Sequence, residues 1–370
     1  MNMANLLLYS FLVIALFQIC YFFSLWFGFH KKQQPPSSKK QLPVSVIICV
    51  KNEAKTLKAQ LPLICKQDYS AYEIVLINDS SSDNSLAVMK EFANTHKNIK
   101  VVNVAPNERF WGNKKYALTL GIKAASHELL LFTHADCQPA SNQWLALMTQ
   151  QLSTDKNIVI GYSGYYKKPF SFLNKLLRYD NLITAINFMG LAKLGLPYMG
   201  SGKNLAYSKS LFFEHSGFKN HMHLKSGDDY LFVNETADSE HTFVCDNPSA
   251  FTYSKSKISF KDWIFQKRRH MITTGHFKLK HKLLLGLFSL SQLLFFVLFI
   301  AIVITSSPPI WVFVVLALRY MVYIFSYGYS IQHLQDKQLI YLFPVLEIAL
   351  ISCQFYIFIL NLIAKPNFWK

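Results

Sequence analysis

Apolar positions follow two regimes along this chain. At the ends they form unbroken runs: residues 5–29 hold no charged residue, and residues 283–305, 310–331 and 341–364 make three more apolar segments joined by short connections. A bilayer core takes roughly 20 apolar helical residues to cross, so this pattern predicts four spanning helices. A cleaved leader fits residues 5–29 poorly, because no basic segment precedes them and the run exceeds the ~7–15 apolar residues of such leaders. In the middle the apolar runs are short and bounded by breakers. They predict strands at 44–50, 72–78, 99–104 and 129–133, alternating with helices at 54–65, 83–96 and 114–125. That alternation predicts right-handed βαβ units and a mostly parallel sheet, an α/β domain of the open nucleotide-binding kind.

Composition changes the picture in two ways. Of 370 residues, 51% are hydrophobic and 15% aromatic, more than one soluble domain needs, and the formal net charge is +17. Outside residues 31–282 the charged side chains are only Arg319, Asp336, Lys337, Glu347, Lys365 and Lys370. Lys31, Lys32, Lys39 and Lys40 at one border and Lys278, Lys280 and Lys282 at the other place the middle region on the cytoplasmic side. Lys365 and Lys370 fit that topology less well, since three C-terminal spans put them outside. The basic excess is explained by acidic lipid headgroups. No recognition-helix or zinc-finger pattern accompanies it, which excludes a nucleic-acid partner. Six scattered cysteines without a C-x-x-C pair read as reduced core or membrane residues. Neither a P-loop nor a G-x-G-x-x-G after a strand occurs.

Ligands of open α/β sheets bind where the strands end, and those ends carry one kind of residue. Asn52 and Glu53 follow the first strand, Asn78 and Asp79 the second, and Asp136 the fourth, within LLLFTHADCQP at 129–139. Several carboxylates and amides converging on one rim suggest a nucleotide pocket. For DSSSD at 79–83 an ordinary turn and helix N-cap is the competing explanation. Inside the membrane, Arg319 and Glu347 are costly unless paired, so a contact between neighbouring spans is expected.

VSVIICVKNEAKTL at 44–57, INDSSSDNS at 77–85, GNKKYALTLGI at 112–122 and LLLFTHADCQP stand in the order and spacing of one known family. GSGKNLAYSKSLF at 200–212, SGDDYLF at 226–232 and QKRRH at 266–270 match its later landmarks. The chain resembles the family 2 inverting glycosyltransferases of the GT-A fold, in the processive and ceramide-glucosyltransferase-like branch with D, D-x-D, E-D and Q-x-x-R-W motifs. The resemblance implies the following assignments. Asn52, Glu53 and Asp79 hold the uracil and ribose of a UDP-sugar, and Lys114 lies against the base or phosphates. Asp136 is the last carboxylate of D-x-D and binds Mg²⁺ or Mn²⁺, hard ions that prefer oxygen ligands. His134 takes the place of the motif's first aspartate; it could bond the sugar or ribose, coordinate Mn²⁺, or fill space. Asn78 likewise replaces the first acid of a D-D pair.

Asp228 and Asp229 resemble the E-D pair whose aspartate deprotonates the acceptor hydroxyl. Direct alignment makes Asp229 the base, alignment on Leu231 makes it Asp228, and Asp229 is preferred. Adjacent carboxylates repel, which should raise one pKa. Gln266 and Arg269 match residues that meet the acceptor or diphosphate, and His270 stands in place of the motif's tryptophan. Residues 263–277 form an amphipathic interfacial helix, the role expected for Lys267, Arg268 and Lys278.

The expected organisation is an anchor at 1–30, a linker at 31–41, a cytoplasmic GT-A domain at 42–257, an interfacial segment at 258–282, spans at 283–364 and a tail at 365–370. The expected function is sugar transfer from a UDP-sugar to a lipid or lipid-linked glycan acceptor, with a divalent cation, in a bacterial inner membrane. Its alternatives are a processive polysaccharide synthase and a catalytically weak nucleotide-sugar-binding or assembly subunit. Oligomeric state is left open.

Overall fold

The computed structural model describes residues 3–33, 41–105, 114–152, 157–224, 226–305 and 308–364. Lys39, Lys40, Gly112, Asn113, Lys365 and Lys370 therefore lie outside the described residues. The chain divides into two compact units. One comprises Lys32–Lys167 with Leu191–Ser256, the other Met1–Lys31, Lys168–Gly190 and Lys257–Asn367.

The first unit is a GT-A α/β fold. Its strands are β1 (Val44–Val50), β2 (Tyr72–Asp79), β3 (Ile99–Val104), β4 (Leu129–His134), β5 (Gln138–Pro139), β6 (Ile158–Gly161), β7 (Ser163–Tyr165), β8 (Leu205–Ser208), β9 (Thr242–Cys245) and β10 (Thr252–Ser254). Seven form the main sheet in the order β3-β2-β1-β4-β8-β6-β9. The pairs β1–β2, β1–β4, β2–β3 and β6–β9 are parallel, and β8 runs antiparallel to β4 and β6. Helices Ala54–Cys65, Ser85–Thr95 and Lys114–Ala124 connect the first four strands. Val46, Ile48, Leu76 and Leu131 are buried in one core with Leu57, Leu61 and Trp144, as continuous β-branched and leucine runs require of a sheet covered by helices.

Register explains why the polar strand ends meet. Val50 is level with Asn78, Asn78 with Asn103, and Cys49 with His134. The residues after β1, β2 and β4 therefore emerge along one rim. A second sheet, in the order β5-β10-β7, follows directly: Gln138 pairs with Tyr253, and Ser254 with Tyr165. It gathers distant segments beside Asp136.

In the other unit, four helices among the described residues are long and apolar enough to cross a membrane: Asn5–His30, Leu279–Thr305, Ile310–His333 and Lys337–Ile363. The last begins with a 3-10 turn, Lys337–Leu342, before the α-helix Phe343–Ile363. Phe11, Phe295, Ile302 and Val312 bury one another. Arg319 is fully buried, and its Nη1 donates to Glu347 Oε2 at 3.1 Å while its Nε donates to Gln18 Oε1 at 2.5 Å. The expected pairing within the spans is thus present.

The amphipathic helix runs Phe260–Thr274, three residues earlier than the hydrophobic pattern indicates. Ser259 sets its start, accepting from the Asp262 N–H at 3.1 Å, and Gly275 closes its end. Its basic residues also make contacts within the fold. Arg268 Nε donates to Asn361 Oδ1 at 2.8 Å and its Nη2 to Leu360 O at 3.1 Å, a carbonyl that also accepts from the Ala364 N–H at the end of the last helix. Lys267 Nζ lies 2.6 Å from Asp180 Oδ2, on the helix Phe172–Lys193.

Candidate functional site

Two loops are stitched together at the rim. Asn52 adopts φ +56°, a left-handed conformation that asparagine tolerates. Its Oδ1 accepts from the Ser82 N–H at 2.8 Å, and its own N–H donates to Ser81 Oγ at 3.1 Å. The Glu53 N–H donates to Ser85 Oγ at 2.9 Å, and the Ala54 N–H to Asp83 Oδ2 at 3.1 Å. Asp83 thus serves the start of a neighbouring helix as well as its own turn, which accounts for the helix after it beginning at Ser85. Asn78 Nδ2 donates to Asn103 Oδ1 at 2.7 Å, joining the ends of β2 and β3. Asp79 is buried and sits 3.6 Å from Lys51 Nζ.

Deeper in, Lys114, His134, Asp228 and Asp229 meet around Gly202. Lys114 Nζ lies 2.7 Å from Asp228 Oδ2 and 3.2 Å from His134 Nε2. Asp229 caps the helix Tyr230–Thr236, its Oδ1 accepting from the Tyr230 N–H at 2.8 Å; its Oδ2 accepts from the Gly202 N–H, also at 2.8 Å. A Cβ at Gly202 would stand 3.3 Å from Asp229 Oδ2 and 3.5 Å from His134 Nε2. Glycine here lets backbone reach the carboxylate. The space among these groups is about 20 Å³, room for one water or hydroxyl.

The electrostatics separate these groups. Burial works against a charged Asp228, but the ammonium of Lys114 outweighs it and holds the carboxyl below the usual carboxylate range. Burial, reinforced by the charge of Asp228, pushes Asp229 up to about 6. Burial and the neighbouring Lys114 push His134 down to about 3. Lysine has only donors, so His134 Nε2 accepts and the ring is neutral.

Asp136 stands at the head of the second sheet. Burial disfavours its charge, yet the Lys203 ammonium, with a hydrogen bond from Cys137, outweighs it and favours the ionised form. Lys203 Nζ donates to Ser254 Oγ at 2.7 Å and lies 4.9 Å from the Tyr165 ring centre. Among the described residues no three His, Cys, Asp or Glu side chains are gathered as a metal cage. A lone ionised carboxylate nevertheless suits a hard cation that takes its other oxygens from phosphate and water.

Sequence reasoning passed over Lys203, Gly202 and Lys115. The first two lie in the quoted GSGKN run, whose glycines signalled close backbone approach. Lys115 is 1% exposed, donates to His221 O at 2.7 Å and Leu224 O at 3.0 Å, and is pushed by burial down to about 8. It anchors the segment leading to the carboxylate pair. Gln266, Arg269 and His270 belong to the membrane unit, on the helix Phe260–Thr274. The Arg269 guanidinium lies 5.6 Å from the Phe265 ring centre.

Residues 45–215 match the Glycosyl transferase family 2 model. The matched stretch, a little under half of the chain, resembles a family 2 glycosyltransferase domain. Among curated relatives, poly-beta-1,6-N-acetyl-D-glucosamine synthase of Staphylococcus epidermidis is 30% identical over 141 residues, 37% of this chain and 33% of the relative. The undecaprenyl-phosphate 4-deoxy-4-formamido-L-arabinose transferase of Proteus mirabilis is 35% identical over 98 residues, 26% of this chain and 29% of the relative. These matches thus span about a third of each relative. The solved mannosyltransferase PcManGT from Pyrobaculum calidifontis, in complex with GDP-Man and Mn²⁺, superposes with TM-score 0.59 at 17% identity. The superposition covers 94% of this chain and 96% of that one, a likeness of fold.

Proposed function

We propose that the chain transfers a sugar from a UDP-sugar to a lipid or lipid-linked glycan acceptor at the cytoplasmic face of a membrane, with inversion at the anomeric carbon. The observation that carries this reading is the divergence of Asp228 and Asp229 in the glycosyltransferase domain. Asp228 is committed to Lys114 at 2.7 Å, whereas Asp229 is held by two backbone N–H groups and pushed up to about 6. A general base works best with a pKa near the operating pH. Asp229 takes the proton from the acceptor hydroxyl as that oxygen attacks. Its two N–H contacts fix the carboxylate in place and support its charged form.

Asn52, Glu53 and Asp79 receive the uracil and ribose at the rim. Lys114 and Lys203 offset the diphosphate's charge. Asp136 holds the divalent cation, Mg²⁺ or Mn²⁺, which when bound stabilises the leaving diphosphate. Gln266, Arg269 and His270 serve the acceptor or diphosphate. A lipid-linked acceptor is supported by the Proteus mirabilis relative, whose name specifies undecaprenyl phosphate, and by four helices able to span a membrane. A processive polysaccharide synthase is the second reading, favoured by the Staphylococcus epidermidis relative. Supplying membranes that contain the protein with a panel of UDP-sugars, then analysing products by mass spectrometry, separates the two. A single sugar on a lipid supports transfer to lipid, a homopolymer ladder the synthase, and no product from any donor contradicts both.

A further inference from the structure

Within the membrane unit a cavity of about 600 Å³ opens between the helix Phe260–Thr274 and the spans Leu279–Thr305 and Phe343–Ile363. We infer that it holds the isoprenoid chain of a lipid-linked glycan acceptor, with the phosphate that joins chain to glycan at Lys267 and the hydroxyl carried by the glycan. The inference rests on the lipid-acceptor reading above and gives that acceptor a place.

Volume and lining set the class of ligand. The cavity falls within the ~300–1,000 Å³ of small-molecule sites. Leu290 and Leu293 of one span and Leu350, Phe355 and Phe358 of the other line it. Ser289, also in the wall, donates its hydroxyl to Leu285 O of its own helix at 2.9 Å. Lys267, His270, Asp180, Thr274 and Gln354 also line it, so an ordered water finds partners at those groups, whereas the leucine and phenylalanine wall offers it none. A flexible hydrocarbon needs none.

Gly286 stands in the same wall, exposed on its helix. A glycine inside a helix costs about 1 kcal/mol relative to alanine, and the usual compensation is close packing against a neighbour. Here a Cβ would meet nothing within 4 Å, although the residue lines the cavity. The missing side chain leaves room that the protein itself does not fill.

Charge lies on the amphipathic helix. Lys267 and His270 face the cavity together with Asp180 and Trp263. Asp180 Oδ2 is held by Lys267 Nζ at 2.6 Å and by Trp263 Nε1 at 3.3 Å. An ammonium has three donors and Asp180 takes one, so the others can meet a phosphate. A chain of apolar contacts ending at a cationic donor is complementary to a polyprenyl phosphate.

The test uses the full-length protein in nanodiscs and a diazirine-bearing polyprenyl phosphate, with labelled peptides mapped by mass spectrometry. Labelling is expected in residues 286–293 and 350–358, displaced at least tenfold better by unlabelled polyprenyl phosphate than by phosphatidylglycerol. Gly286→Leu, which places a side chain in the cavity, should cut labelling at least fivefold, and Gly286→Ala should retain most of it. Equal displacement by phosphatidylglycerol would mean ordinary bilayer lipid and overturn the inference. So would undiminished labelling of Gly286→Leu. The assay needs no sugar transfer: site-specific labelling without donor turnover would remove the proposed function, and turnover onto lipid without such labelling would remove only this site.

Discussion

Lys114 Nζ lies 2.7 Å from Asp228 Oδ2, and that contact makes two neighbouring carboxylates chemically different. Asp228 stays ionised and neutralised; Asp229, with burial and a negative neighbour, titrates near 6. A base must be ionised to act, so turnover should climb as pH rises through about 6 and level off above it. In Asp228→Asn the neighbouring charge is gone and Lys114 is released. Both changes favour ionised Asp229, and the acid limb should move below 6. A limb that stays put in pH–rate profiles of both proteins would count against Asp229 as the base.

His134 should contribute no ionisation of its own between pH 5 and 8, because burial and Lys114 push it down to about 3. Its task is to accept from Lys114. His134→Gln offers an acceptor oxygen and should keep most of the rate. His134→Leu deprives a charged donor of a partner, costing about 1.5–3 kcal/mol, read as a ten- to hundredfold loss in kcat/KM. Equal losses in the two variants would reassign the histidine to a role that needs the ring.

Asp136→Asn should raise the concentration of Mn²⁺ needed for half-maximal turnover by tenfold or more while leaving the thermal midpoint nearly unchanged. Among the described residues the carboxylate accepts a hydrogen bond from Cys137 Sγ at 3.6 Å, so little packing is lost. A metal titration monitored by UDP release provides the comparison.

Arg319 and Glu347 are 0% and 1% exposed. Glu347→Leu alone strands a buried guanidinium and should cost about 3–5 kcal/mol. Arg319→Met combined with Glu347→Leu should recover most of that loss. Thermal unfolding in detergent of the two single variants and the double variant closes the cycle; additive effects would show that the pair is not coupled.

The first four strands and the four apolar helices were legible because each is a continuous apolar run whose length selects its type. The pairing of Arg319 with Glu347 was legible for a related reason, since isolated charges are so costly in that setting. Strands β5, β7 and β10 were not, being two or three residues long and made by pairing between segments far apart in the chain, Tyr253 with Gln138 and Thr252 with Ser163. Distance along the chain also hid Lys203. Asp136 could be seen as a carboxylate at a strand end, but its cationic neighbour arrives from a loop some seventy residues later. Asn52 was visible as a rim residue, while its bonds to the serine loop depend on a backbone turn that only the folded chain reveals.

The central claim is that this glycosyltransferase domain turns over a UDP-sugar with Asp229 as its base. The most direct measurement is UDP release by the purified full-length protein across a panel of UDP-sugars with Mg²⁺ or Mn²⁺ and added lipid acceptor, wild type beside Asp229→Asn. The account predicts turnover of at least one donor by wild type and a loss of about 10²–10⁴-fold in Asp229→Asn, the usual contribution of a general base. Full activity in Asp229→Asn, or UDP binding without turnover of any donor, would contradict it.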